Sequence, residues 1–392
     1  MRSGLRHAAA RLSVALAAGL LATFTSHAVL AAPDFHFVAA PYPGEASELH
    51  APLVRGPDGL AYGMAWYGGP NNGGAVYRIE ADGSTFTVLH EFGAGTDGSQ
   101  APCGLMLGAD GWLYGTTQVG GTNGEGILFK ISTAGDYVVI YNFGPQTLQG
   151  AGYPSGPLVQ DAEGNLYGTL GGGTSQSPYG AVFKLTAAGT FKLLHVFADA
   201  GDGNYPDALV IAADGVVFGT TAYTHGTYGG TLFSLGRDGK FQVLHTFDCA
   251  SDGCQPYGRL VTNGSGVIFG AAPLGGFLNN GTIYAWKHGS FGVLHVVGDG
   301  DHLGAYPQGG VEIDTQGNLY STTQYGGPAK AGVLFALRPD GMTKVLHAFG
   351  QDASGGAYPV SAPTLFPGGQ LWGTTLQGGQ SGGIVFWVQL PQ

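Results

Sequence analysis

Apolar runs of five or six residues recur along the whole chain, each cut short by an Asp-Gly or glycine-rich break. Between 112 and 143 the runs are "WLYGTT", "ILFKI" and "YVVIYNF". β-Branched and aromatic residues in runs this short, bounded by turn formers, predict strands rather than helices. The pattern also repeats. An aromatic residue followed by a small one stands at Tyr62-Gly63, Tyr114-Gly115, Tyr167-Gly168, Phe218-Gly219, Phe269-Gly270, Tyr320-Ser321 and Trp372-Gly373, in steps of 52, 53, 51, 51, 51 and 52 residues. A fixed period of this length in seven copies marks a repeat architecture.

Each unit divides into four strands, A to D. In the second unit "CGLML" is A, "WLYGTT" is B, "ILFKI" is C and "YVVIYNF" is D. Four strands per fifty-residue unit predict one blade of a β-propeller. A solenoid would need capping repeats, whereas here the ends complement one another. The last unit stops after strand C, at "GGIVFWVQLPQ". The missing strand D lies at the other end, where "FHFVAAPYPGEASELHAPL" from Phe35 aligns without a gap to "FKLLHVFADAGDGNYPDAL" from Phe191. The expected fold is therefore all-β: a seven-bladed propeller over 35–392, with repeats from 49 to 390. Strand 35–40 closes the ring by completing blade seven, which removes the free edges of a linear array.

Composition fits this reading and narrows the partners. Glycine contributes 73 of 392 residues, and charged residues only 10%. Ahead of the repeats, Arg2, Arg6 and Arg11 precede the apolar "LSVALAAGLLATF", too short for a span and suited to a signal peptide ending at Ala31. Its removal takes three of the 15 Lys+Arg and none of the 26 Asp+Glu, leaving a net charge near −14. Such a chain is expected in the periplasm or outside the cell, as a monomer with no membrane anchor, and not on nucleic acid. Cys249 and Cys254 lie five apart in "FDCASDGCQPYG". A small loop disulfide is expected there, with a metal pair as the alternative, and Cys103 as a buried thiol.

The phrase "DGxLYGTTxxGGxxxxGxVF…LHxF" resembles the GloVer tandem repeat of bacterial secreted proteins, the choice-of-anchor group. The resemblance covers all seven units. It implies an exported propeller, often followed by a sorting tail, which is not seen before Gln392. It implies no reaction and no catalytic residues.

Candidate chemistry must come from residues that break the repeat, on the face carrying the long B–C and D–A loops. Arg259 replaces a small residue or proline (Pro52, Gly104, Pro157, Ala208, Gly310, Ala362). It reads either as an ion pair with Glu312 of the next blade or as an anchor for an anionic ligand. His225 and Tyr223 sit in or near the B–C loop of blade four, and His302 in a D–A loop; His50 replaces a proline. The recurring His90, His195, His245, His295 and His347 read as scaffold. Trp66, Tyr67, Tyr223, Tyr228, Phe277 and Tyr325 offer rings for sugar stacking, and Glu125 is the B–C loop carboxylate. No cofactor motif is present; Ca²⁺ on Asp199, Asp202 and Asp207 of "DAGDGNYPD" is the one alternative. Three functions remain open at this point. The first is a non-catalytic propeller that binds a glycan or another extracellular polymer. The second is a lyase or glycosidase acting on an acidic polysaccharide, with His225, Tyr223 and Arg259 as its catalytic group. The third is a protein-interaction scaffold.

Overall fold

The structure, a computed structural model, describes residues 34–39, 48–80, 86–93, 95–101, 103–144, 153–171, 179–198, 200–224, 226–298, 302–351, 356–378 and 382–391. They form seven antiparallel sheets of four strands. Blade 1 spans 54–91, blade 2 106–142, blade 3 159–196, blade 4 204–246, blade 5 261–296 and blade 6 312–348. Blade 7 takes Thr364–Phe366, Gln370–Thr374 and Val385–Gln389 from the end of the chain and Phe35–Ala39 from its beginning. Phe35 pairs with Val388 and Phe37 with Phe386, so the ring closes as the complementary ends predict. Innermost strands of successive blades touch along the axis. Among the described residues no helix is long and apolar enough to cross a membrane.

The signature glycine has a specific cause. Gly115 faces Phe129 across the B–C pairing, and a Cβ on Gly115 would lie 2.6 Å from that ring. Gly168, Gly219, Gly270 and Gly373 stand opposite Phe183, Phe233, Tyr284 and Phe386 in the same way. The signature glycine thus serves packing within one blade. It admits the aromatic ring of its own blade's strand C, and close backbone approach occurs elsewhere, on the innermost strands. The preceding tyrosine has a second role. The hydroxyls of Tyr62, Tyr114, Tyr167 and Tyr320 donate to Asp58, Asp110, Asp161 and Asp314 of their A–B turns.

Between blades, the core is shared. Tyr62, Met64 and Val76 of blade 1 pack with Leu105, Leu113 and Phe129 of blade 2. Outside that layer the strand D histidines act as a fastening. Rings stack flat on the first aromatic residue of the next blade's strand D: His90 on Tyr137 at 3.8 Å, His195 on Phe241 at 3.6 Å, His245 on Phe291 at 3.6 Å and His347 on Phe35 at 3.5 Å. Blade 2 puts Tyr141 on Phe191 instead, at 4.6 Å. Each stack contributes about 1 kcal/mol beyond its buried area. The opposite edge of three imidazoles meets a D–A loop carboxylate: His90 with Asp97, His195 with Asp202 and His245 with Asp252, at 3.2, 3.0 and 2.9 Å. Burial holds His90 and His195 below the ordinary imidazole range despite these partners, so both rings are neutral near pH 7. The repeated histidines belong to the scaffold.

A second fastening works at the loops. Gln100, Gln255, Tyr205, Tyr306 and Tyr358 adopt positive φ between 52° and 64°. In each, the backbone N–H donates to a B–C loop carbonyl of the preceding blade: Gly73, Tyr228, Tyr179, Asn280 and Ala331. Left-handed backbone at a non-glycine costs on the order of 1 kcal/mol, which the inter-blade bond offsets.

Candidate functional site

The B–C and D–A loops all leave their strands at the same end of the blades. The tyrosines of the "YP" phrases recur at Tyr153, Tyr205, Tyr306 and Tyr358. The first two rings are open, Tyr153 42% and Tyr205 47% exposed, and the last two are half-buried. Tyr228 is 64% exposed, Tyr325 43% and Phe277 86%. Of the exposed Phe and Tyr side chains among the described residues, only Phe37 lies elsewhere, on an outer strand.

These rings group by blade. At blades 4 and 5, Tyr223 is central: Tyr205 lies edge-on at 5.5 Å, Tyr228 at 5.9 Å, and the Tyr257 hydroxyl is 3.4 Å from that of Tyr223. At blades 6 and 7, Tyr325 sits between Tyr306 and Tyr358, at 5.4 and 5.7 Å. At blade 1, Trp66 and Tyr67 stack on each other at 5.7 Å, and His50 meets Trp66 edge-on at 4.9 Å. His50 also lies 3.1 Å from Glu48. Glu125 is half-buried in the blade 2 loop. His302 is exposed and borders a shallow, open depression of about 350 Å³ with Asn280 and Pro328. His225 lies outside the described residues. The structure therefore brings Tyr223 together with Tyr228 and Tyr257, and leaves Trp66, Tyr67, Glu125, His302 and Tyr325 on other blades.

Arg259 takes the first of its two readings. Its Nη1 donates to Glu312 Oε2 at 2.7 Å, joining blades 5 and 6. Glu312 is 10% exposed at the side chain and also accepts from the Leu365 N–H of blade 7 at 3.3 Å. Backbone bonds reinforce this crossing: Arg259 N–H donates to Gly309 O at 2.9 Å and Val311 N–H to Arg259 O at 3.2 Å. Arg259 keeps 36% of its side chain open. Arg259→Ala should lower stability by about 2 kcal/mol, because the nearly buried Glu312 loses its cation. Denaturant unfolding checks this; a variant as stable as the parent would show that the pair is not a strut.

The aspartates proposed for calcium separate. Asp202 serves His195 and the Ala198 N–H, whereas Asp207 Oδ2 accepts from the Gly258 N–H at 2.9 Å. Asp199 lies outside the described residues. Among the described residues no group of three His, Cys, Asp or Glu could hold a metal ion. Cys249 and Cys254 are bonded, with Cα atoms 4.7 Å apart, and Cys103 is a buried thiol. Burial, with the charge of Asp207 adding to it, pushes that thiol up to about 12, so it is not a nucleophile at neutral pH.

Sequence reasoning missed two residues here. Asp207 was read only as a calcium ligand. It occupies the innermost position that Ala51, Cys103, Gly156, Gly258, Gly309 and Ser361 fill in other blades, so the logic that singled out Arg259 one place later would have found it. Burial raises its carboxyl to about 6, even though part of its surface meets solvent. Tyr257 is the second. Burial and its contact with Tyr223 raise its hydroxyl well above the ordinary phenol range, with Asp207 adding to the effect.

Several solved structures share the architecture. Virginiamycin B lyase from Staphylococcus aureus matches with a TM-score of 0.61 and 11% identity, over 91% of this chain and 99% of that one. A catalytically inactive form of that lyase with quinupristin gives 0.57 and 12%, over 91% and 100%. The extracellular domain of a one-component system from B. thetaiotaomicron gives 0.57 and 11%, over 90% of this chain and 39% of that one. At such identities the likeness is one of fold. No curated protein matches the sequence. The Gloeobacter/Verrucomicrobia repeat matches residues 29–228 and 172–387, which together take in every blade, and the chain belongs to that repeat family.

Proposed function

We propose that this protein is an exported binding propeller that engages an extracellular glycan on its long-loop end. The observation that carries the reading is the gathering of exposed aromatic rings there, Tyr153, Tyr205, Tyr228, Phe277 and Tyr325. Sugars present an apolar C–H face with polar edges, and a half-exposed ring on a polar surface suits that face. The loops that hold the rings are fixed by the inter-blade backbone bonds, which reduces the ordering cost of binding. The apolar leader and the Cys249–Cys254 bond support an oxidising compartment outside the cytoplasm.

The lyase reading finds less support. It asks Arg259 to neutralise a substrate carboxylate, yet that guanidinium is engaged by Glu312. A screen of soluble polysaccharides that records both binding and the ultraviolet absorbance of an unsaturated uronate separates the readings. The expected result is binding without new chain ends, weakened about tenfold or more in a Tyr228→Ala, Phe277→Ala double variant. Absorbance that grows with time would make the protein a lyase, and silence on every glycan would sink the binding reading.

A further inference from the structure

Charge is divided unevenly between the two ends of the blades. Among the described residues, the A–B and C–D turns and their adjoining strand ends carry eleven carboxylates and ten Lys or Arg. The end with the long loops carries nine carboxylates and only two such cations, Arg259 and Lys330. Arg259 is already engaged by Glu312. The His90 and His195 rings, neutral near pH 7, leave the charges of Asp97 and Asp202 standing. Asp248 is exposed on the same end, and Glu125 is partly open.

Two independent features share this end with the negative charge. One is the set of exposed rings, with Phe277 of blade 5 and Tyr228 of blade 4 the most open. The other is unmet hydrogen-bonding capacity. Asn204, only 5% exposed and paired opposite Tyr223, has an amide oxygen with no partner. Thr224, 3% exposed, has a hydroxyl with none. A buried polar atom seldom goes without a partner.

We propose that the long-loop end takes a cationic amino-sugar polymer, one whose units carry free ammonium groups. This rests on the glycan reading above and deepens it. The sugar faces stack on Tyr228 and Phe277, while the ammonium groups sit in the field of the loop carboxylates. A uronate or sulfated polymer meets like charge at the same surface and is repelled.

Calorimetric titration of the whole exported protein tests this with four probes: a glucosamine hexamer, its fully N-acetylated counterpart, polygalacturonate and oligolysine. At about 50 mM salt the free amine should bind about tenfold more tightly than the acetylated form, and the gap should shrink at about 300 mM as the Debye length contracts. Glu125→Gln combined with Asp248→Asn should weaken the free amine about fivefold at low salt and leave the acetylated form unchanged. Phe277→Ala should weaken both. Equal affinity for the two hexamers, or binding of polygalacturonate, would overturn the charge inference while leaving glycan binding intact. Binding of oligolysine with no binding of any sugar would overturn both in favour of a basic protein partner, and no binding of any probe would likewise overturn both.

Discussion

Gly309→Ala is expected to destabilise the ring by about 3 kcal/mol, the upper part of the range for overpacked sites. A Cβ at Gly309 would run into the backbone of Ser361 and Ala362 in the next blade. Gly258 is confined in the same way by Gln308 and Gly309, and Gly156 by the carbonyl of Asp207. These are meetings of main chain with main chain, so no rotamer change can relieve them. The comparison is Gly341→Ala. Gly341 has φ +84° but nothing within 4 Å of its notional Cβ, so only the left-handed backbone cost of about 1 kcal/mol applies. Urea unfolding of both variants decides the matter. Equal losses would mean that the innermost strands have room to spread, and that the close approach does not constrain the ring.

Asp207→Asn should stabilise the protein above pH 6 and change little near pH 4. The carboxyl of Asp207 is raised from 3.8 to about 6 in the folded chain, burial being the main cause. The folded state therefore holds the proton more tightly than the unfolded one. The stability this confers is complete below about 4 and is lost as pH rises through about 6. A shift of about two units corresponds to about 3 kcal/mol at pH 8. The half-open setting of the side chain reduces that, and about 1–2 kcal/mol is the expected gain. Asparagine still accepts from the Gly258 N–H, so the hydrogen bond survives while the charge goes. Melting curves of both proteins from pH 4 to pH 8 should diverge as pH rises; parallel curves would show that the carboxylate is solvated as well as it is in the unfolded chain.

The blades, their number and the closing strand were legible because each rests on periodicity. A fifty-residue unit repeated seven times averages out local ambiguity, and the complementary ends leave one closure. The strand D histidines were also legible as scaffold, since equivalent copies need equivalent surroundings. Their partners were not. Nothing in the sequence pairs His195 with Phe241 of the next blade or with Asp202, because those contacts depend on blade twist and loop path. Arg259 stood out as a repeat breaker, but its choice between partner and ligand depends on the direction of a side chain, which the innermost strand sets toward blade 6. Asp207 was hidden by its neighbours: in an Asp-Gly-rich loop an acid reads as turn chemistry, and what marks it is its place in the repeat, where the other blades put a small residue. The rings of Tyr205, Tyr306 and Tyr358 escaped for a related reason. Repetition marked the backbone as structural and said nothing of where the rings point.

Closure by Phe35–Ala39 also governs how the molecule is made. The strand that completes the ring is formed first and its partner Val385–Gln389 last, so their pairing bridges roughly 350 residues, a loop-closure cost of about 5 kcal/mol. Until both are present, blade 7 keeps a bare edge and His347 lacks the Phe35 ring that covers it. Synthesis that stalls, or a cut that removes either terminal strand, leaves a molecule marked by that open edge for proteolysis or aggregation. The fold thus carries a test of its own closure, which a chain lacking either of these two strands fails.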